Sequence, residues 1–431
     1  MNYSKKVKLH TFEWKGTLVY TPFASHDMVS LVGSVSGGRL GAQAFLHTQP
    51  KSHVAGDVLA EAHAAMLLEG TKKHSKKELQ ITLDAIGASL SFMASADRLV
   101  FHASVRPQHL NALLNIIREV LTEPTFAEKE LSVLKKRMQS DLSLEAVDPK
   151  AQSRIHLSRI LFPVGHASRE DLSQESMKSV VACTRKTLQD YHKATIARSS
   201  LFVSIAGDIS ERESQKLIDT YFKKLPNPTA LTIEYVSAPP VAHRKVRTHV
   251  REKTSVEYSL GSAIGIMDSH PDYAALMLGM QILGVPGFTG RLMSIVREQE
   301  GLTYGIYASV NSSARIEGAA LIKASFAPQL FEKGRASTLH EIKRLVEKGV
   351  TATEVRKHIA MYESRSLVAL SNSSACAGLA HRLISEGHIP QYFDDFLKKY
   401  RALTVKDVNK ALKKYLNSSN LSESAAGALS K

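Results

Sequence analysis

A chain of 431 residues is longer than one hydrophobic core usually supports, and 43% apolar with 23% charged residues is globular composition, so two or more domains are expected. The formal net charge of +15 is spread along amphipathic stretches such as "KKHSKKEL" and "ALKKYL" without interleaved aromatics, which excludes nucleic acid as the expected partner and leaves acidic peptides or an acidic protein. No charge-free apolar run reaches the roughly 18 residues of a membrane span, and Cys183 and Cys376 have neither metal-ligand spacing nor the density of a disulfide framework, so both are read as reduced structural thiols.

The opening "MNYSKKVKLHTFEWKG" has no apolar h-region or small-residue cleavage site, and it is poor in Arg and Ser, so a cytoplasmic chain is expected. "GTLVYTP" and "MVSLVGSVSG" alternate and predict strands. Val58, Leu59, Ala62, Met66 and Leu67 then lay an apolar stripe on a helix, followed by a strand pair, "ASLSFMASADRLVFHASV", and long helices. The stretch 223–246, "KKLPNPTALTIEYVSAPPVAHRKV", holds four of the 14 prolines and shows no helical period, so it reads as a linker. Beyond it the same order returns: a strand in "VEYSLGSAIGI", a helix carrying Ala274, Leu276, Met277 and Ile282, a strand pair, and helices. The polar, small "NSSNLSESAAGALSK" at 417–431 reads as a frayed tail.

Pieces of the two halves also match directly. "GASLSFMAS" at 87 pairs with "GLTYGIYAS" at 301, "VRPQHL" at 105 with "FAPQLF" at 326, and "FAEKELSVLKKRMQSDLSL" at 126 with "VTATEVRKHIAMYESRSLV" at 350. The offsets of 214, 221 and 224 residues drift only by loop-sized amounts, as a tandem duplication requires. The expected fold is α+β: two homologous domains, each a mainly antiparallel sheet covered by helices, related by a pseudo-two-fold and enclosing a cavity. The expected boundaries are 1–224, a linker at 225–245, and 246–431.

A hydrolytic zinc site needs three protein ligands and an open position, and a helix supplies two ligands best at i and i+4. The first-half helix instead offers Glu61, His63, Ala64 and Ala65. Alanine has no donor atom, and His63 has no histidine at 59 or 67, so His63 is read as a half-exposed helix residue. His53 and His74 are read as surface or loop residues.

The segment "LLEGTKKHSKKELQITLDAIGASLSF" (67–92) resembles the one that follows the H-x-x-E-H helix of the insulinase/pitrilysin metallopeptidase family. The resemblance implies that Glu61 stands at the first His, Ala64 at the Glu and Ala65 at the second His. Counting from Pro149, Asp141 falls at the third ligand. It therefore implies that this chain binds no zinc.

The stretch "GVPGFTGRLMSIVREQEGLTYGIYASV" (284–310) resembles the C-terminal signature of the same family. There the resemblance gives Arg297 and Tyr304 the role of transition-state helpers. It makes Gly284, Gly287, Gly290 and Arg291 the substrate-binding set, the glycines allowing positive φ and close backbone approach. A phosphate loop is excluded because no G-K-[ST] follows. Some members of the family divide labour between two chains. The resemblance thus implies a catalytically incomplete subunit that carries no cofactor itself, binds peptide or unfolded polypeptide, and serves a homologous H-x-x-E-H chain that holds the zinc. The alternative is a structural core-type subunit with no part in hydrolysis.

Overall fold

A computed structural model describes residues 3–24, 27–49, 52–229, 231–285 and 290–429. The strands β1 (Lys8–Thr11), β2 (Thr17–Pro22), β3 (Val29–Ser36), β4 (Ser89–Ala94), β5 (Arg98–Val105) and β6 (Phe202–Gly207) build one sheet in the order β1-β2-β6-β3-β5-β4. Only the β2–β6 ladder is parallel. A second sheet takes β7 (Lys245–His249), β8 (Val256–Ala263), β9 (Thr303–Asn311), β10 (Ala319–Phe326) and β11 (Ser422–Gly427) in the order β7-β11-β8-β10-β9. Only β7–β11 is parallel there. Omitting β1, the two sheets have one topology, which is the duplication expressed in three dimensions.

Smaller details repeat as well. Gly87 and Gly301, which open the matched strand pairs, both adopt left-handed φ, 61° and 63°. The matched prolines Pro107 and Pro328 each begin a 3₁₀ turn ahead of a long helix. Gly207 and Gly427, at the ends of β6 and β11, have φ of 133° and 132°, and a Cβ at either would lie 2.2 Å from a carbonyl oxygen. Only glycine fits both the angle and the gap.

The compact units differ from the expected boundaries. The first comprises Met1–Ser140, Glu175–Glu234 and Ser366–Asp394, and the second Asp141–Gln174, Tyr235–Arg365 and Asp395–Lys431. Each half of the sequence therefore lends a segment to the other unit. In the first unit the Ser373–Ser385 helix lies on β2, β6 and β3, while in the second the Pro149–Leu161 helix lies on β7, β11 and β8. Small residues make the fit: Ser153 Oγ donates to Ser259 Oγ at 2.7 Å, and Ser30 Oγ meets Ser373 Oγ at 2.8 Å. Residues 231–244 carry no helix or strand.

The frayed C-terminal tail is overturned. "SESAAG" is β11, an interior strand buried along its whole length. Its serines and alanines are small because a helix lies directly upon them, not because water does. Cys183 and Cys376 are free, buried thiols. No helix of the described residues is long and apolar enough to cross a membrane.

Candidate functional site

The Gly56–Met66 helix turns Val58, Leu59, Ala62, His63 and Met66 into the first unit's core. Glu61 is exposed, Ala64 is buried and Ala65 is partly buried. His63 is not half-exposed as its lack of a histidine partner on the helix implied: it is 1% exposed, four residues after Leu59 on the inward stripe. Its Nε2 lies 2.9 Å from His192 Nδ1, on the Arg185–Thr195 helix, and the rings of Phe126 and Tyr191 pack around it. Burial, and then the neighbouring imidazole, hold His63 well below the usual histidine range, while burial takes His192 down to about 4.

Just beyond this helix, His74 in the loop places Nδ1 2.8 Å from the carboxylate of buried Glu119, and Thr71 donates its hydroxyl to the same oxygen. Burial works to raise the Glu119 pKa, but these hydrogen bonds prevail and hold it low. This network ties the loop down and leaves the His74 side chain partly exposed. His53 is exposed.

These residues do not fit a catalytic zinc. On the helix, Glu61 is the one donor at the resemblance-implied positions, the alanines offer none, and His63 Nε2 is already bonded inside the core. Asp141, on the Glu128–Ala146 helix, is exposed.

In the second unit a π-helical stretch, Met293–Gln299, leads through a left-handed Gly301 into β9. The wide turn places Arg297 with its guanidinium 5.4 Å from the centroid of the Tyr304 ring. Tyr304 is 86% exposed on β9, which is the edge strand of its sheet. The planar cation props an aromatic ring whose hydroxyl faces solvent. That pair can donate to a carbonyl or an oxyanion.

Arg291 has a different role from the one the resemblance implied. Its Nε and Nη2 bond Glu354 at 2.7 and 2.9 Å, and Nη2 also reaches the Gly349 carbonyl at 2.9 Å. Glu341 lies 3.8 Å away. Burial opposes the charge on Glu354, yet Arg291 draws its pKa down to about 2. The guanidinium is occupied within the fold, so it is not free to hold a peptide.

The glycines divide. Gly287 lies outside the described residues. Gly284, at the end of a helix, does not adopt positive φ, and Gly290 directly follows residues outside those described. They serve close approach: a Cβ on Gly290 would sit 2.7 Å from Gly284 Cα, and one on Gly284 would sit 2.8 Å from Ala308 N.

Two sheets of one topology, a helix emptied of zinc ligands and an Arg–Tyr pair on an edge strand define a metallopeptidase fold without its metal-binding set. A family model described as "Insulinase (Peptidase family M16)" matches residues 60–165, and one described as "Peptidase M16 inactive domain" matches residues 182–362. The chain belongs to this insulinase family, as a catalytically incomplete member. It is 26% identical over 301 residues to the "Non-peptidase homolog YmxG" of Helicobacter pylori, covering 69% of this chain and 67% of that protein. It is 23% identical over 390 residues to the "Probable mitochondrial-processing peptidase subunit beta" of Schizosaccharomyces pombe, covering 84% and 81%. A crystal structure of a peptidase M16 inactive domain from Pseudomonas fluorescens shares the fold with a TM-score of 0.87 at 22% identity, over 98% of each chain.

Proposed function

We propose that this protein is the non-catalytic subunit of a two-chain zinc peptidase, binding extended peptide and lending Arg297 and Tyr304 to a zinc site on a homologous chain that keeps H-x-x-E-H. The observation that carries the reading is the Arg297–Tyr304 pair. A tyrosine held 86% exposed by a stacked arginine gains nothing from burial, and its hydroxyl is presented to whatever approaches the β9 edge. An extended peptide would add to such an edge by backbone hydrogen bonds, with little demand on its side chains. Tyr304 would donate to the developing oxyanion and Arg297 to a carbonyl or carboxylate. Among the relatives, the Schizosaccharomyces protein is named as a subunit of a processing peptidase, and the Helicobacter protein as a non-peptidase homolog.

A purely structural subunit is the competing reading. It is favoured by the likeness in fold to a chain of complex III from Candida albicans, with a TM-score of 0.76. Turnover separates the two. Mixed with its homologous chain, the protein should support peptide cleavage, and Arg297→Ala or Tyr304→Phe should lower kcat by about tenfold or more. Turnover unchanged in both variants removes the catalytic assignment and leaves the structural one.

A further inference from the structure

The strand pairs matched by the duplication differ at one point. In the first unit β4 and β5 pair without a shift, from Ser89 opposite Ser104 to Ala94 opposite Leu99. In the second, Gly305 lies opposite Ser325, but the next residue of β10, Phe326, lies opposite Thr303. Tyr304 is therefore an extra residue with no partner on β10, the bulged residue of a β-bulge.

The bulge decides where Tyr304 points. Alternation puts residues 304, 306 and 308 on one side of a regular strand, and Ile306 and Ala308 are buried in the second unit's core. A regular ladder would turn Tyr304 in with them. The sequence match sets Ser89 on Thr303 and Leu90 on Tyr304, so the first unit shows that unshifted case. There Ser89 is exposed, and Leu90 is partly buried in phase with Phe92 and Ala94. In the second unit the exposures are exchanged: Thr303 is buried and Tyr304 is 86% exposed.

The side chain of Thr303 spans the irregularity. Its hydroxyl donates across the strands to the Ser325 carbonyl, and Oγ1 accepts from Gly305 N–H at 3.2 Å. Oγ1 also lies 3.0 Å from the Gly305 carbonyl oxygen. These contacts join the residues on either side of Tyr304 and tie them to β10. Ser89 instead meets Ser104 Oγ at 2.8 Å, a side-chain contact that leaves its backbone ladder regular.

We propose that Thr303 is a positioning residue for Tyr304: its hydroxyl fixes the bulge that turns the tyrosine out of the sheet, where Arg297 stacks on it and a peptide can meet it. This assignment rests on the transition-state role given to Tyr304 above. Thr303, being buried, acts through the phenol and not on the peptide. Valine has the shape of threonine without its hydroxyl. It would leave the Ser325 carbonyl and the Gly305 amide without this partner, which favours the regular pairing of the first unit.

The test combines two readouts on the full-length chain. Together with its homologous zinc-bearing chain, Thr303→Val and Thr303→Ala should lower kcat by about fivefold or more with little change in KM, and Thr303→Ser should retain turnover. Thr303→Val combined with Tyr304→Phe should be no slower than Tyr304→Phe alone, because one residue acts through the other. For the chain by itself, nitration with tetranitromethane is mapped by mass spectrometry. Tyr304 should react several times more slowly in Thr303→Val and Thr303→Ala than in the wild type or Thr303→Ser. Tyr307, in regular register opposite Lys323, should keep its rate and so report that the strand is intact. Unchanged Tyr304 nitration in both hydroxyl-free variants overturns the proposal, as does a kcat loss that adds to that of Tyr304→Phe. Turnover unmoved by Tyr304→Phe would sink the transition-state reading instead, and nitration would still decide whether Thr303 aims the tyrosine.

Discussion

His63 and His192 share a hydrogen bond across 2.9 Å in the core of the first unit, so one ring nitrogen donates while the other accepts. That arrangement needs at least one neutral imidazole, and burial keeps both in that form, with His192 brought down to about 4. In an unfolded chain both rings titrate near the ordinary value of about 6.5. Below that pH the unfolded state takes up protons that the folded state refuses, so stability present at neutral pH is lost as pH falls from about 6.5 toward about 4. His192 alone should contribute a loss on the order of 2 kcal/mol by about pH 4.5, and His63 adds to it in the same direction. Urea unfolding at about pH 7 and 4.5 measures it, and the His63→Leu/His192→Leu double variant should lose most of the difference. An equal acid sensitivity in that variant would put its origin elsewhere.

The two arginines of the C-terminal signature should behave oppositely. Arg291→Ala leaves Glu354 and Glu341 without their cation, and should cost about 3 kcal/mol of stability, with Lys a poor substitute for the bidentate fork. Arg297→Ala should cost less stability than Arg291→Ala while lowering turnover of the two-chain enzyme. Denaturant titrations of both variants are the check. A reversed order would exchange the structural and catalytic assignments.

The purified chain alone should contain no stoichiometric zinc and show no chelator-sensitive peptide cleavage. The helix positions that would bind and activate water are Glu61, Ala64 and Ala65, a single carboxylate and two methyl groups. Elemental analysis and a peptide assay with and without chelator decide this, and one bound zinc per chain would refute it.

Gly207→Ala and Gly427→Ala should each destabilise by about 2 kcal/mol or more. Both add strain at a positive φ and a contact with a carbonyl oxygen at 2.2 Å. Similar losses at the two sites, measured by thermal unfolding, would show that the duplicated strand ends work under the same constraint. If either variant keeps its stability, the backbone there has another conformation available.

Much of the fold was legible because the halves keep recognisable punctuation. The Gly87/Gly301 turns, the Pro107/Pro328 helix starts and the matched helices beginning at Glu128 and Ala352 all stand where the sequence offsets place them. The interior strand β11 was not legible, because "SESAAG" lacks the branched and aromatic residues that usually signal a strand. Small residues there answer to a helix that comes from the other half of the sequence, and such a partner leaves no local trace. The burial of His63 has a simpler local signal, its spacing of four from Leu59 on the apolar stripe, which does not depend on a second histidine on the same helix. The His192 partner lies 129 residues away, beyond any local pattern. At Arg291 the motif gave the residue type correctly, but its acidic partner Glu354 is brought by a helix 63 residues later.

The segment exchange bears on how the protein can be cut. A protease or a gene truncation acting in 231–244 would not liberate two self-sufficient pieces. The N-terminal product would retain Pro149–Leu161 but lose the Ser373–Ser385 cover of its own sheet, and the C-terminal product would suffer the converse loss. Produced separately, each fragment should therefore expose a sheet face and aggregate. Produced together they should complement one another, so the nicked protein would persist as a split pair in which each half is the other's missing part.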